Sequence, residues 1–149
     1  MNQALAEIAD DSMESMDSHS LPHSAILIVE DCEPLLFYLN SAILSLGYKN
    51  QFLASNLAEA YSAWAQHKGE ISHVVLNYEL PDGLCFEFAA LIIRERPNVK
   101  IIMTTGYDIA SIRETSHDSN HFQFLQKPFR LSELKDALEV TSPIKAFCS

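Results

Sequence analysis

The sequence predicts an α/β fold: a doubly wound, five-stranded parallel sheet in the order 2-1-3-4-5 with helices on both faces. Three observations carry that prediction. From residue 25 onward, short apolar and β-branched runs alternate with amphipathic stretches, the pattern of successive βα units. The first run, Ala25-Ile26-Leu27-Ile28-Val29, is continuously apolar rather than alternating, as suits a strand covered on both faces. Five such units follow one another without a repeat in 149 residues, a length suited to one domain, and right-handed crossovers then select the strand order.

Each element has its own local reason. The first strand ends in Glu30-Asp31. Pro34 stands in the first turn of a helix whose apolar side comprises Leu35, Leu36, Leu39, Ile43, Leu44 and Leu46, with Gly47 as its stop. A second strand is expected near residues 48–54. Asn56 and Glu59 have capping-box spacing at the start of the next helix, which turns Ala60, Ala63 and Trp64 inward. His73 to Asn77 forms the third strand, and Pro81-Asp82-Gly83 the turn after it. A helix over about Leu84 to Arg96 stops ahead of Pro97, because the residue before a proline is biased away from helical backbone. Val99 to Thr105 reads as the fourth strand, broken by Gly106. Few apolar anchors mark Ile109 to Ser116, so that helix should be short, and Asp118-Ser119-Asn120 are turn formers. Phe122 to Leu125 is the fifth strand, and Leu131, Leu134, Ala137 and Leu138 mark a last amphipathic helix.

Composition narrows the function classes. Apolar residues make up 48% and charged residues 20%, so a folded body is expected. Acidic residues outnumber basic ones 20 to 10, for a net charge of -10, a field that repels phosphate backbones and anionic lipid and disfavours direct nucleic-acid binding. Half of that charge falls in residues 1–24, where Glu7, Asp10, Asp11, Glu14 and Asp17 meet no Lys or Arg. This segment reads as an acidic flexible arm, with Leu5, Ile8, Met13 and Met16 available as one apolar side of a short helix. Residues 25–140 form the domain and 141–149 a tail. Cys32, Cys85 and Cys148 make no CxxC pair, so neither a disulfide framework nor a zinc site is indicated and a cytoplasmic setting is expected. No apolar run approaches the roughly 18 residues of a membrane span, and no signal peptide is evident.

In open α/β sheets the ligand site lies beyond the carboxyl ends of the strands. The residues there are Glu30-Asp31, Asn77, Thr104-Thr105 and Lys127. Adjacent carboxylates suit a hard divalent cation, while a hydroxyl and an ammonium suit phosphoryl oxygens. Of the two threonines, Thr105 is the candidate, because it directly precedes Gly106 and alternation turns Thr104 to the other face. The same alternation points Tyr78 away from the crevice. His19, His23, His67, His73, His117 and His121 are scattered and read as surface or packing residues.

Taken in order, the apolar strand with Glu-Asp, then Val-Val-Leu-Asn-Tyr-Glu-Leu-Pro-Asp-Gly, Ile-Ile-Met-Thr-Thr-Gly-Tyr and Phe-Leu-Gln-Lys-Pro-Phe closely resemble the receiver domain of two-component response regulators, over about residues 25–140. The resemblance implies a flavodoxin-like fold. In that family an acidic pair holds magnesium, an Asp ending the third strand accepts phosphate from a histidine kinase, a Thr or Ser and a Lys contact the phosphoryl group, and an aromatic on the fifth strand reports the state. Those roles fall here on Glu30 and Asp31, position 77, Thr105, Lys127 and Phe124. The resemblance also implies a cis Lys127-Pro128 bond, a histidine kinase or output protein as partner, and docking through the last two helices and the fifth strand, where Arg113, Arg130 and Lys135 stand.

One position departs from the pattern: the phosphoacceptor-equivalent residue is Asn77. An amide oxygen is a weak nucleophile, so formation of an acyl phosphate is lost. The site also loses a negative charge, which weakens a magnesium site built on Glu30 and Asp31 with Asn77, and leaves Lys127 with Glu30 or Asp31 as its ion-pair partner. Phe124 lacks a hydroxyl, and an aromatic in such a strand is as readily a core residue. The expected function is thus that of a phosphorylation-incompetent, non-enzymatic receiver acting by protein contact. The alternative is an ordinary phosphoaccepting receiver in which Asp has been changed to Asn. A flavodoxin-like redox protein is disfavoured, since no phosphate-cradling loop follows the first strand and Glu30-Asp31 would repel a cofactor phosphate.

Overall fold

A computed structural model describes residues 24–115 and 122–140. Its elements run β1 (Ala25–Val29), α1 (Glu33–Ser45), β2 (Gln51–Ala54), α2 (Leu57–His67), β3 (Ile71–Asn77), α3 (Cys85–Glu95), β4 (Lys100–Thr105), α4 (Ile109–Thr115), β5 (Gln123–Gln126) and α5 (Leu131–Glu139). The strands form one parallel sheet in the order β2-β1-β3-β4-β5, as the alternation of runs predicts.

Period-two alternation along each strand divides the core in two. Leu27, Val29, Val74, Leu76, Ile101 and Met103 face the layer of α2 and α3, where Trp64 and Phe88 are buried. Ile26, Ile28, Val75 and Ile102 face α1 and α5, against Leu39, Ile43, Leu134 and Leu138. A sheet buried on both sides needs apolar residues at consecutive positions, which is why β1 reads as an unbroken run and β3 carries Val74-Val75-Leu76. Two apolar assignments are corrected. Leu44 is exposed, because it lies roughly 100° of helical rotation beyond Ile43 and off the inward face. Leu131 is also exposed, at the first position of α5, ahead of the turn that meets the sheet.

The helix ends follow capping chemistry. Gly47 takes a positive φ of 106° just past α1, and Tyr48 N–H returns to the Ile43 carbonyl at 3.3 Å. Asn56 Oδ1 accepts from Glu59 N–H at 2.8 Å, and Glu59 Oε1 accepts from Ser55 N–H at 2.8 Å. Leu57 N–H and Ala58 N–H, still free at the start of α2, are taken by Asp82 from the β3–α3 loop, at 3.0 and 3.2 Å. α4 covers Ile109–Thr115 among the described residues. The Lys127-Pro128 bond is cis. The arm, residues 116–121 and the tail, with His19, His23, His117, His121 and Cys148, lie outside the described residues. Among the described residues no helix is long and apolar enough to cross a membrane.

Candidate functional site

The carboxyl ends of β1, β3, β4 and β5 bring Glu30, Asp31, Asn77, Thr105 and Lys127 to one crevice, as the sheet order requires. Asn77 is 2% exposed and is its hub. Its Nδ2 donates to Asp31 Oδ1 at 2.8 Å, to Glu30 Oε2 at 3.3 Å and to the Glu79 carbonyl at 3.3 Å. Its Oδ1 accepts from Lys127 Nζ at 3.1 Å and from Glu79 N–H at 3.3 Å. Every partner of the nitrogen is an acceptor and every partner of the oxygen a donor, so the amide has one chemically consistent orientation.

Glu30 is 1% exposed and forms the ion pair with Lys127, Oε1 to Nζ at 3.2 Å. Of the two carboxylates the lysine chooses the buried one. Burial pushes the Glu30 carboxyl above its ordinary value, while the Cys32 N–H on its Oε2 and the Lys127 charge pull it back. Asp31 is exposed at the mouth.

Thr105 points into the crevice and donates its hydroxyl to Glu79 Oε2. Thr104, by contrast, is buried with no hydrogen-bond partner for its hydroxyl among the described residues. Tyr78 turns to the opposite side of β3 from Asn77 and packs edge-on to Phe86 and Tyr107. Phe124 stands apart from the polar cluster: it is half-buried, its ring 6.3 Å from Phe122, with the Arg113 guanidinium carbon 5.2 Å from its centroid.

Glu79 is the residue that reading the sequence missed. It lies two positions past Asn77, in a loop where no periodicity marks side-chain direction. Its carboxylate accepts from Thr105, and from Gly106 N–H at 3.2 Å for Oε2. The available signal was an acidic residue between a strand end and the Pro81-Asp82-Gly83 turn.

The comparisons with known proteins bear on this geometry. The sequence profile described as the response regulator receiver domain matches residues 26–139. The chain belongs to the response regulator receiver family. It is 27% identical over 123 residues to sporulation initiation phosphotransferase F of Bacillus subtilis, covering 81% of this chain and 95% of that protein. It is 26% identical over 114 residues to the DNA-binding transcriptional regulator NtrC of a Bradyrhizobium strain, covering 76% of this chain but only 23% of that much longer protein. Among solved structures, the CheX–CheY–BeF3–Mg2+ complex of Borrelia burgdorferi superposes with a TM-score of 0.69 at 19% identity, covering 76% of this chain and 85% of that one. Receiver domains of two-component signalling work with histidine kinases and output partners.

Receiver domains take Mg2+ at the phosphorylation site, and the Borrelia complex contains the ion. Here the oxygens that suit a hard cation, Asp31 Oδ1, Glu30 Oε2 and the Glu79 carbonyl, converge on the Asn77 nitrogen instead. Flipping the amide to offer oxygen would set its NH2 against the Lys127 ammonium and the Glu79 N–H. Among the described residues no group of three or more His, Cys, Asp or Glu side chains is arranged to hold a metal.

The Cys85 thiol adds no chemistry here. Cys85 is buried, and burial pushes its thiol up to about 12, well away from the reactive thiolate range.

Proposed function

We propose that this chain is a phosphorylation-incompetent receiver that works through protein–protein contact in a two-component pathway. The observation that carries the reading is the bonding of the Asn77 amide, whose nitrogen faces the two carboxylates and whose oxygen faces Lys127. In the family, position 77 is the phosphoacceptor. An acyl phosphate requires a carboxylate oxygen to attack phosphorus, and the oxygen of this amide is neutral and engaged by two donors. Magnesium binding is weakened for the same reason, since an N–H pair replaces an oxygen ligand.

Output then rests on surfaces. The α4–β5–α5 face carries Arg113, Arg130 and Lys135 on an otherwise acidic chain, which suits an acidic partner such as a histidine kinase or a separate output protein.

The deciding experiment incubates the chain, Asn77→Asp and Asn77→Asp combined with Glu79→Ala with acetyl phosphate or phosphoramidate and Mg2+, and weighs each by intact-mass spectrometry. The unmodified chain gains no phosphate and shows no spectral response to beryllofluoride with Mg2+. Asn77→Asp regains the attacking carboxylate beside Lys127 but keeps Glu79 on the Thr105 hydroxyl, so it gains an acid-labile phosphate once Glu79→Ala is added to free that hydroxyl. Stoichiometric phosphate on the unmodified chain at a crevice residue overturns the reading.

A further inference from the structure

We propose that Glu79 is a built-in ligand of the crevice: its carboxylate fills the oxyanion position between the Thr105 hydroxyl and the Gly106 N–H, and an external tetrahedral oxyanion can enter only when that carboxylate is removed. This deepens the reading above and rests on it for the identity of the crevice.

Consecutive donors at the end of β4 define the position. The Thr105 hydroxyl and the Gly106 N–H both point at Glu79, the N–H lying 3.2 Å from Oε2 and 3.4 Å from Oε1. A hydroxyl and a backbone N–H converging on one spot are a donor pair for an anionic oxygen. Thr105 Oγ1 also accepts from Tyr107 N–H at 2.9 Å. One carboxylate thereby holds Thr105 and Gly106 directly, and Tyr107 through the Thr105 hydroxyl.

Glu79 is delivered from a loop with little freedom to withdraw it. The Asn77 amide clasps its backbone on both sides, accepting from its N–H and donating to its carbonyl. Farther along, Asp82 is bonded to the first two N–H groups of α2, and a Cβ on Gly83 would lie only 2.9 Å from Leu57 Cδ1, so the loop sits hard against that helix. A group tethered this closely competes at a high effective concentration against any free ion.

Charge reinforces the exclusion. Lys127 is committed to Glu30 and to the Asn77 oxygen. A phosphate dianion at the Thr105–Gly106 position would face the carboxylates of Glu79, Asp31 and Glu30 with one ammonium already paired. The site is thus internally complete: an amide NH2 sits among the oxygens that would ligate a cation, and a carboxylate sits on the donors that would bind an anion.

The test uses the 15N-labelled full chain, Glu79→Ala and Glu79→Gln, titrated with inorganic phosphate against a sodium chloride control of equal ionic strength and without added divalent metal. The Gly106 and Tyr107 amide resonances of Glu79→Ala shift saturably with phosphate, whereas those of the unmodified chain do not. Gly106 amide exchange rises at least about tenfold in Glu79→Ala, as loss of a hydrogen bond to a charged acceptor implies. Should Glu79→Ala fail to fold, Glu79→Gln, nearly isosteric and uncharged, is read in its place and binds phosphate more tightly than the unmodified chain. Equal phosphate response in the unmodified chain and a folded variant, no response in either, or unchanged Gly106 exchange overturns the proposal. Because phosphate binds here without covalent transfer and with Asn77 in place, this outcome is separate from whether the chain can be phosphorylated.

Discussion

Thr104 and Thr105 close β4 side by side, and their hydroxyls meet opposite fates. Thr105 Oγ1 donates to Glu79 and accepts from Tyr107 N–H, while Thr104 Oγ1 is buried without a hydrogen-bond partner among the described residues. A buried polar group without a partner carries its whole desolvation cost, and replacing it by an apolar group of the same shape removes that cost. Thr104→Val therefore raises stability by about 1 kcal/mol, read as a higher midpoint in urea at unchanged slope. Thr105→Val does the reverse, losing about 1–3 kcal/mol because a bond to a charged acceptor goes and Tyr107 N–H is orphaned. Equal effects of the two substitutions would refute the assignment of Thr105 rather than Thr104 to the crevice.

At the scale of elements, the β3–α3 loop does two jobs, and its anchor can be tested by pH. The bond from Leu57 N–H is the largest influence and holds the Asp82 carboxyl below its ordinary 3.8; desolvation opposes it, and the weaker bond from Ala58 N–H adds to the lowering. A depressed carboxyl stabilises the fold above its unfolded value, and that contribution is lost as pH falls through the folded value. Asp82→Ala accordingly melts below the unmodified chain from neutral pH down to about 4, and the gap in Tm narrows at lower pH. A gap that stays constant into strong acid would show that the carboxylate charge is not what caps α2.

The same loop marks where the sequence stopped being legible. The five strands and their order could be read because burial on both faces leaves unbroken apolar runs, as in Ala25 to Val29, and because crossover handedness admits few topologies. Glu30, Asp31, Asn77, Thr105 and Lys127 could be placed together because each closes a strand of that sheet. Glu79 could not, since loop side chains follow no period and its partners, Thr105 and Gly106, lie 26 and 27 residues away. The direction of the Asn77 amide was equally hidden, being decided jointly by Glu30, Asp31, Glu79 and Lys127 from three other parts of the chain. Leu44 shows the converse failure, an apolar residue adjacent to a true core position but on the wrong arc of α1.

At the scale of the whole molecule, the question is what residues 1–24 contribute. Among the described residues the two clusters of buried side chains are drawn from residues 25 to 138, and the family match spans 26–139, so a body that folds without that segment is expected. Residues 1–24 hold five carboxylates and no Lys or Arg, on a chain whose net charge is -10; like-charge repulsion opposes their settling on the body, and their few apolar side chains offer little area to offset it. A chain beginning at Ser24 is thus expected to unfold in one cooperative transition with Tm within about 2 °C of the full chain, equivalent to less than about 1 kcal/mol for a domain of this size. Its Tm should also respond less to added salt, since screening relieves repulsion between the segment and the body only where the segment is present. The measurement is differential scanning calorimetry of both chains at low and high salt. A fall of more than about 4 °C on deletion would mean that Leu5, Ile8, Met13 and Met16 pack on the domain, making the segment part of the fold rather than a solvated arm.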